Sequence, residues 1–222
     1  ALSLSTGAIA AQPADPWRAK GRELLENAIN IPSVTTRPEE VKRLVSFLKA
    51  EFEKGGFRDI VVKDYDGTQG LILRWKAEGK PTKKPMLLIG HMDVVDAKRE
   101  DWSRDPFKMV EEDGYFYGRG TTDMKNGVVA ITHALLRLNA EGFKPKRDII
   151  VFFSGDEETV GTGARLASTA GALQGFDASC FDGVYVTGDV SADDIVRINE
   201  NRIKVEEGDA DNSRLALPNA SE

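Results

Sequence analysis

The sequence is short of the residues that usually staple small folds or build metal-rich ones. It has one cysteine, Cys180, among 222 residues. A disulfide framework within the chain and any Cys-rich zinc module are therefore excluded. Two histidines, His91 and His133, leave no room for a His-rich metal site. No apolar run reaches the roughly 18 residues of a membrane-spanning helix, so no membrane partner is expected. Positive charge is not in excess either. The net charge is −6, and without a basic patch no nucleic-acid partner is expected. Internal repeats are absent.

What is present points to a globular chain. Hydrophobic residues make up 41% and charged residues 30%, a balance that supports a packed core. The length suits one large or two small domains at about 100–200 residues each. Charge divides the chain. Residues 171–222 hold eleven Asp/Glu against four Lys/Arg, whereas residues 1–170 hold 25 against 26. The last 52 residues thus form an acidic C-terminal segment of different composition from the rest. At the other end, residues 1–14 (ALSLSTGAIAAQPA) are small, apolar and uncharged. Ala8-Ile9-Ala10 before Ala11 has the A-x-A form of a signal-peptidase site. Residues 1–14 are expected to be the remnant of a secretory signal, and the mature protein to be periplasmic or secreted.

The pattern between these ends alternates. Asp15-Pro16 opens a helix to about Ile29. Pro38-Glu39-Glu40 opens a second, with Pro and acidic residues in the first turn where they are favoured. Its apolar stripe is Val41, Leu44, Val45, Leu48 and Phe52, and Gly55-Gly56 stops it. Strands are expected at Asp59–Tyr65, Gly70–Trp75, Met86–Ile89 and Tyr115–Tyr117. A helix follows over Asn126–Ala140, then a strand over Asp148–Phe153, wholly apolar from Ile149 onward, and a further strand over Gly183–Thr187. Ile195–Ile198 and Arg202–Val205 read as a hairpin. This order predicts an α/β fold: a three-layer sandwich with a mixed, mostly parallel central sheet and helices on both faces.

Three clusters of polar residues each follow a predicted strand. Ligands of open α/β sheets bind outside the carboxyl ends of strands, so the three can converge. Gly90-His91-Met92-Asp93 pairs an imidazole with a carboxylate that can fix its tautomer, although His-x-Asp alone is commonly structural. Gly118–Gly127 (GRGTTDMKNG) presents Asp123 just before a helix, where it could equally be a plain N-cap. Ser154-Gly155-Asp156-Glu157-Glu158-Thr159 sets three carboxylates in a row at the end of a buried strand. They repel one another and need a compensating charge, which a metal supplies; the alternative is a solvated acidic turn. One His with several carboxylates suits zinc in a hydrolytic site, or a two-metal site with a shared carboxylate. The second histidine, His133, lies mid-helix and reads as a packing residue. The glycines of GRGTTDMKNG lack the spacing of a phosphate-binding loop.

GHMDVV (Gly90–Val95), GRGTTDMKNG and SGDEETVGTGAR (Ser154–Arg165), in this order, resemble the co-catalytic zinc exopeptidases and amidohydrolases. That family includes glutamate carboxypeptidases, aminoacylases, carnosinase-like dipeptidases and succinyl-diaminopimelate desuccinylases. Trp102–Phe107 (WSRDPF) matches its W-x-x-D-P-F loop. The resemblance covers about residues 16–166, so that residues 15–170 are read as the N-terminal part of the catalytic domain. It implies two zinc ions, with cobalt or manganese as substitutes. His91 would bind one ion, oriented by Asp93. Asp123 would bridge both, followed by a cis peptide bond. Glu158 would bind the second ion and Glu157 would be the general base. A further acidic ligand is expected at Asp189, with Asp182 as the alternative. The implied substrates are peptides or N-acyl amino acids.

The family's distal histidine has no counterpart, since none follows His133. Its inserted lid domain, through which it often dimerises, is likewise absent from this sequence. Two expectations follow: a zinc-dependent hydrolase in truncated form, or a non-catalytic, incomplete metal-binding remnant.

Overall fold

The computed structural model describes residues 15–65, 67–81, 83–159, 161–163 and 184–186. Residues 1–14, Cys180 and the expected hairpin at 195–205 lie outside the described residues, as does the acidic segment apart from 184–186.

Helix α1 (Pro16–Ile29) starts where Asp15 accepts a hydrogen bond from the Trp17 N–H at 3.0 Å. That satisfies one of the helix's free donors. Helix α2 (Pro38–Lys54) has Pro38 at its first position and Glu39 and Glu40 in its first turn. Gly56 leaves it at a φ of 94°, a conformation that favours glycine. The expected stripe is all inside: Val41, Leu44, Val45, Leu48 and Phe52 are each at most 1% exposed.

Five strands form the main sheet: β1 (Ile60–Tyr65), β2 (Thr68–Trp75), β3 (Met86–His91), β6 (Ile149–Ser154) and β7 (Val184–Val186), in the order β1-β2-β6-β3-β7. Strand β6 pairs parallel with β3, and β3 parallel with β7, while β1–β2 and β2–β6 are antiparallel. The fold is α/β with a mixed sheet, as the alternation predicted. Two short strands, β4 (Val110–Glu112) and β5 (Tyr115–Tyr117), pair separately. Their turn is Asp113-Gly114, with φ of 51° and 81°. Two successive residues at positive φ make the tight turn that suits the twist of a hairpin. Strand β4 was not anticipated; its Val-Glu-Glu sequence carries little strand signal.

Helix α3 (Lys125–Ala140) packs against α1 and over β3. Leu24, Leu44, Leu48, Phe52, Val128 and Leu136 meet Leu71, Leu73, Val151 and Phe153 in one core cluster. The three described helices therefore share one face of the sheet. The other face is also buried, with Ile72 and Ile150 at 1% exposure. No helix among the described residues covers it. Strand β6 is buried along its whole length, as its unbroken apolar sequence requires of a strand enclosed on both faces.

Candidate active site

The parallel register of β3 and β6 places His91 opposite Ser154. The residues after each strand, 92–95 and 155–158, therefore emerge at the same end of the sheet. Gly155 sits at the exit of β6, where a Cβ would come within 2.6 Å of the Gln69 carbonyl and 2.7 Å of both Thr68 Oγ1 and Val41 Cγ1. Only glycine lets the chain turn this close to β2. Gly155→Ala is expected to cost about 1–3 kcal/mol of stability. The check is the urea midpoint at constant m-value, and an unchanged midpoint would contradict this packing.

His91 is 3% exposed. Its Nδ1 faces Asp93, at 3.1 Å from the backbone carbonyl and 3.5 Å from Oδ1. An Nδ1–H held there leaves Nε2 for the opposite side, where it lies 3.1 Å from Asp123 Oδ1 and 3.6 Å from Glu157 Oε2. Asp93 is fully buried. It accepts the backbone N–H of Glu157 at Oδ1 (3.1 Å), and at Oδ2 the N–H of Glu158 (3.0 Å) and the Thr35 hydroxyl (2.7 Å). One carboxylate thus ties the first and third sequence clusters together.

Asp123 is not a helix cap. Helix α3 begins at Lys125 with Met124 in the cap position and no side-chain capping bond, and the Asp123 carboxylate instead meets His91. Its loop is braced by WSRDPF. The Arg119 N–H donates to the Pro106 carbonyl at 2.6 Å, and the Arg119 guanidinium lies 5.4 Å from the centre of the Trp102 ring. All peptide bonds among the described residues are trans, including the one after Asp123. The cis bond implied by the resemblance is not there; the loop turns at Gly120, at a φ of 92°.

Of the three consecutive carboxylates, only two face the site. Asp156 is 4% exposed and turns away, with its oxygens 3.0 and 2.8 Å from the Gly163 N–H. His91, Glu157 and Glu158 can offer ligand atoms that all lie within 4.8 Å of one another. Their electrostatics reflect the crowding. Burial works against the imidazolium, but the hydrogen bond and charge of Asp93, then Glu157 and Asp123, hold its pKa up at about 9. Burial raises the Glu157 carboxyl, and Glu158, Asp93 and Asp123 push it further, to about 7 against the pull of His91. Glu158 is raised by burial and by the Asp123 and Asp93 charges, and lowered in part by His91 and the Val95 N–H. A divalent cation would satisfy these carboxylates with the ring neutral, and a mixed His/carboxylate donor set fits one. Asp189 and Asp182 lie outside the described residues.

Two supporting residues have no counterpart in the sequence reading. Thr35, in the α1–α2 connection, reaches Asp93 as described. Lys125 is fully buried and donates to the carbonyls of Ala28 and Ile31 at the end of α1. The amino group satisfies carbonyls left free where the helix ends. His133 packs as expected: its Nε2 donates to the Trp17 carbonyl at 2.8 Å, and its ring stands edge-on to Trp17.

A His/carboxylate cluster at the carboxyl ends of neighbouring parallel strands defines the class as an α/β fold with a candidate metal site. The model of Peptidase family M20/M25/M40 matches residues 87–219, and the chain belongs to that family. The match runs past residue 170 and includes Asp182 and Asp189. The chain is 34% identical over 155 residues to the human N-fatty-acyl-amino acid synthase/hydrolase PM20D1, covering 68% of this chain and 31% of that protein. It therefore spans about a third of the length of that curated relative. Human carnosine dipeptidase 1 has the same fold, with a TM-score of 0.68 at 23% identity over 80% of this chain and 40% of that one. So does YXEP of Bacillus subtilis, described as a dinuclear metal binding peptidase of the M20 family. Its TM-score is 0.55 at 15% identity, over 80% of this chain and 44% of that one.

Proposed function

We propose that this chain belongs to a zinc-dependent hydrolase that cleaves the amide bond of N-acyl amino acids or short peptides. The observation that carries the reading is the convergence of His91, Glu157 and Glu158 within 4.8 Å, backed by Asp93. The match to an N-acyl-amino acid hydrolase and the fold shared with a dipeptidase support the substrate class. No observation favours the alternative of a non-catalytic remnant.

The roles follow from position. His91 would hold one zinc ion and Glu158 a second, and Asp123, whose Oδ1 lies 3.1 Å from His91 Nε2, would be a ligand to both. Asp189 is proposed as a further ligand. Zinc, when bound, polarises the scissile carbonyl and acidifies water. Asp93 keeps the proton of His91 on Nδ1 so that Nε2 faces the ion. Glu157, half-buried and tethered through its own N–H to Asp93, accepts the proton of the attacking water and returns it to the departing amine. The deep burial of Asp93 and His91 keeps bulk water from competing for these hydrogen bonds.

The test is a panel of N-acyl amino acids and dipeptides assayed with added zinc and, separately, after chelation. Hydrolysis is expected only with metal, and should return when zinc, cobalt or manganese is restored. Equal rates with and without chelator would overturn the reading.

A further inference from the structure

The two oxygens of the buried Asp93 are fully committed, and three of their four neighbours belong to the site itself: His91, Glu157 and Glu158. The fourth is Thr35, 58 residues upstream, whose hydroxyl makes the shortest of the contacts at 2.7 Å. Thr35 belongs to a short clasp. Val34 bridges Val94 in parallel fashion, the Val94 N–H donates to the Ser33 carbonyl at 3.0 Å, and the Thr35 N–H donates to the Val94 carbonyl at 3.3 Å. The Ser33 hydroxyl donates to the Met92 carbonyl at 2.7 Å. The backbone that carries Thr35 is thus fixed from Ser33 to Thr35 itself.

We propose that Thr35 is a positioning residue of the metal site, whose hydroxyl pins Asp93 and through it aligns His91 and the Glu157–Glu158 backbone. The terminal torsion of an aspartate is soft, so an anchor on each oxygen is needed to hold the carboxylate plane. Oδ1 is anchored by the Glu157 N–H. Without the Thr35 hydroxyl, Oδ2 keeps one donor, the Glu158 N–H, and that donor moves with the loop it is meant to hold. A threonine one step behind the residue that orients a ligand acts by geometry, so its loss shows first in metal binding. The inference rests on the reading of His91 and Glu158 as metal ligands.

The experiment measures zinc affinity of the full chain by competition with a chromophoric chelator, and the visible spectrum of the cobalt-loaded protein. Thr35→Val keeps the shape and removes the hydroxyl; it is expected to weaken zinc binding roughly 10-fold, the low end for partners outside the ligand set, and to shift the cobalt bands. Thr35→Ser restores the hydroxyl and should stay within about twofold of the parent. Ser33→Ala removes one side-chain bond of the clasp but keeps the backbone bonds that hold Thr35, and it does not reach Asp93; it should lower the melting temperature and leave the zinc Kd alone. Unchanged affinity in Thr35→Val, or an equal loss in Ser33→Ala, overturns the proposal. If Thr35→Val does not fold, equal zinc Kd for Thr35→Ala and Thr35→Ser overturns it instead. A parent chain that binds no zinc removes the ligand reading itself, whereas a zinc-binding parent matched by Thr35→Val removes the role of Thr35 alone.

Discussion

Glu157→Gln is expected to lower kcat by about 10²–10⁴-fold, the usual contribution of a positioned general base, while leaving the zinc Kd nearly unchanged. The amide is isosteric and can still accept and donate hydrogen bonds, so packing around residue 157 is kept. What it cannot do is take a proton. The carboxylate it replaces lies 3.6 Å from His91 Nε2, near enough to share the space around an ion without needing to bind it. Its backbone N–H is tied to Asp93, so the loop stays in place whatever the side chain. Glu158→Gln is the informative comparison. As a ligand, Glu158 should lose zinc affinity as well as rate, and excess zinc should recover part of the activity. For Glu157→Gln excess zinc should recover none. Equal kcat in Glu157→Gln and parent would remove the base role, and a rate loss fully restored by zinc would reassign Glu157 as a ligand.

Much of this site could be read in advance because its parts obey local rules. Met86–Ile89 and Ile149–Phe153 are unbroken apolar runs, so they had to be enclosed strands. The polar residues after each run had to leave the sheet at a strand end. The α2 stripe was legible for a similar reason: one face of a regular helix is a periodic pattern. Asp123 was ambiguous, since an acid before a helix suits a cap or a ligand equally well. The Met124 cap position and the 3.1 Å contact to His91 exclude the cap. Asp156 shows the limit of reading charge as a block. Its two neighbours face the site, but its own carboxylate is used by the Gly163 N–H, a local turn bond that no count of acidic residues reveals.

Thr35 and Lys125 were invisible for different reasons. Thr35 acts across 58 residues, and a hydroxyl in a connection between helices carries no pattern. Lys125 contradicts the strong tendency of lysine to lie at the surface; its role depends on where α1 ends in space. Strand β4 could have been found, because Asp113-Gly114 ahead of the aromatic run Tyr115–Tyr117 is a hairpin signal. The opposite face of the sheet is buried at Ile72 and Ile150, although no helix among the described residues covers it.

Zinc affinity is expected to rise with pH by about tenfold per unit between pH 7 and 9, and more steeply between pH 5 and 7. The reason is proton competition. As the proposed ligand, His91 would bind metal through a neutral ring, but its pKa is held up at about 9, so in this range each ion bound would release a proton. Below about pH 7 the Glu157 carboxyl also carries its proton, and a second proton enters the exchange. The same shifts set the stability of the metal-free chain. Both groups have folded-state pKa values above their unfolded ones, so the folded state binds protons more tightly. The contribution of His91 is fully present below about pH 6.5 and is lost as pH rises through about 9. That of Glu157 is present below about 4.5 and is lost by about pH 7. Lys125 works in the other direction: burial outweighs the Glu40 and Asp93 charges and lowers it to about 7. Its neutral form is at home in the fold, so its contribution improves as pH rises from about 7 towards the unfolded value of 10.5. The decisive measurement is therefore the difference in melting temperature with and without zinc at fixed free zinc, in which Lys125 largely cancels. That difference should widen steadily from pH 6 to pH 9 as His91 changes from a proton holder to a metal ligand. His91→Asn should flatten the profile above pH 7. A parent chain whose zinc-dependent stabilisation does not change over this range would show that the His91 ring takes no part in binding the ion.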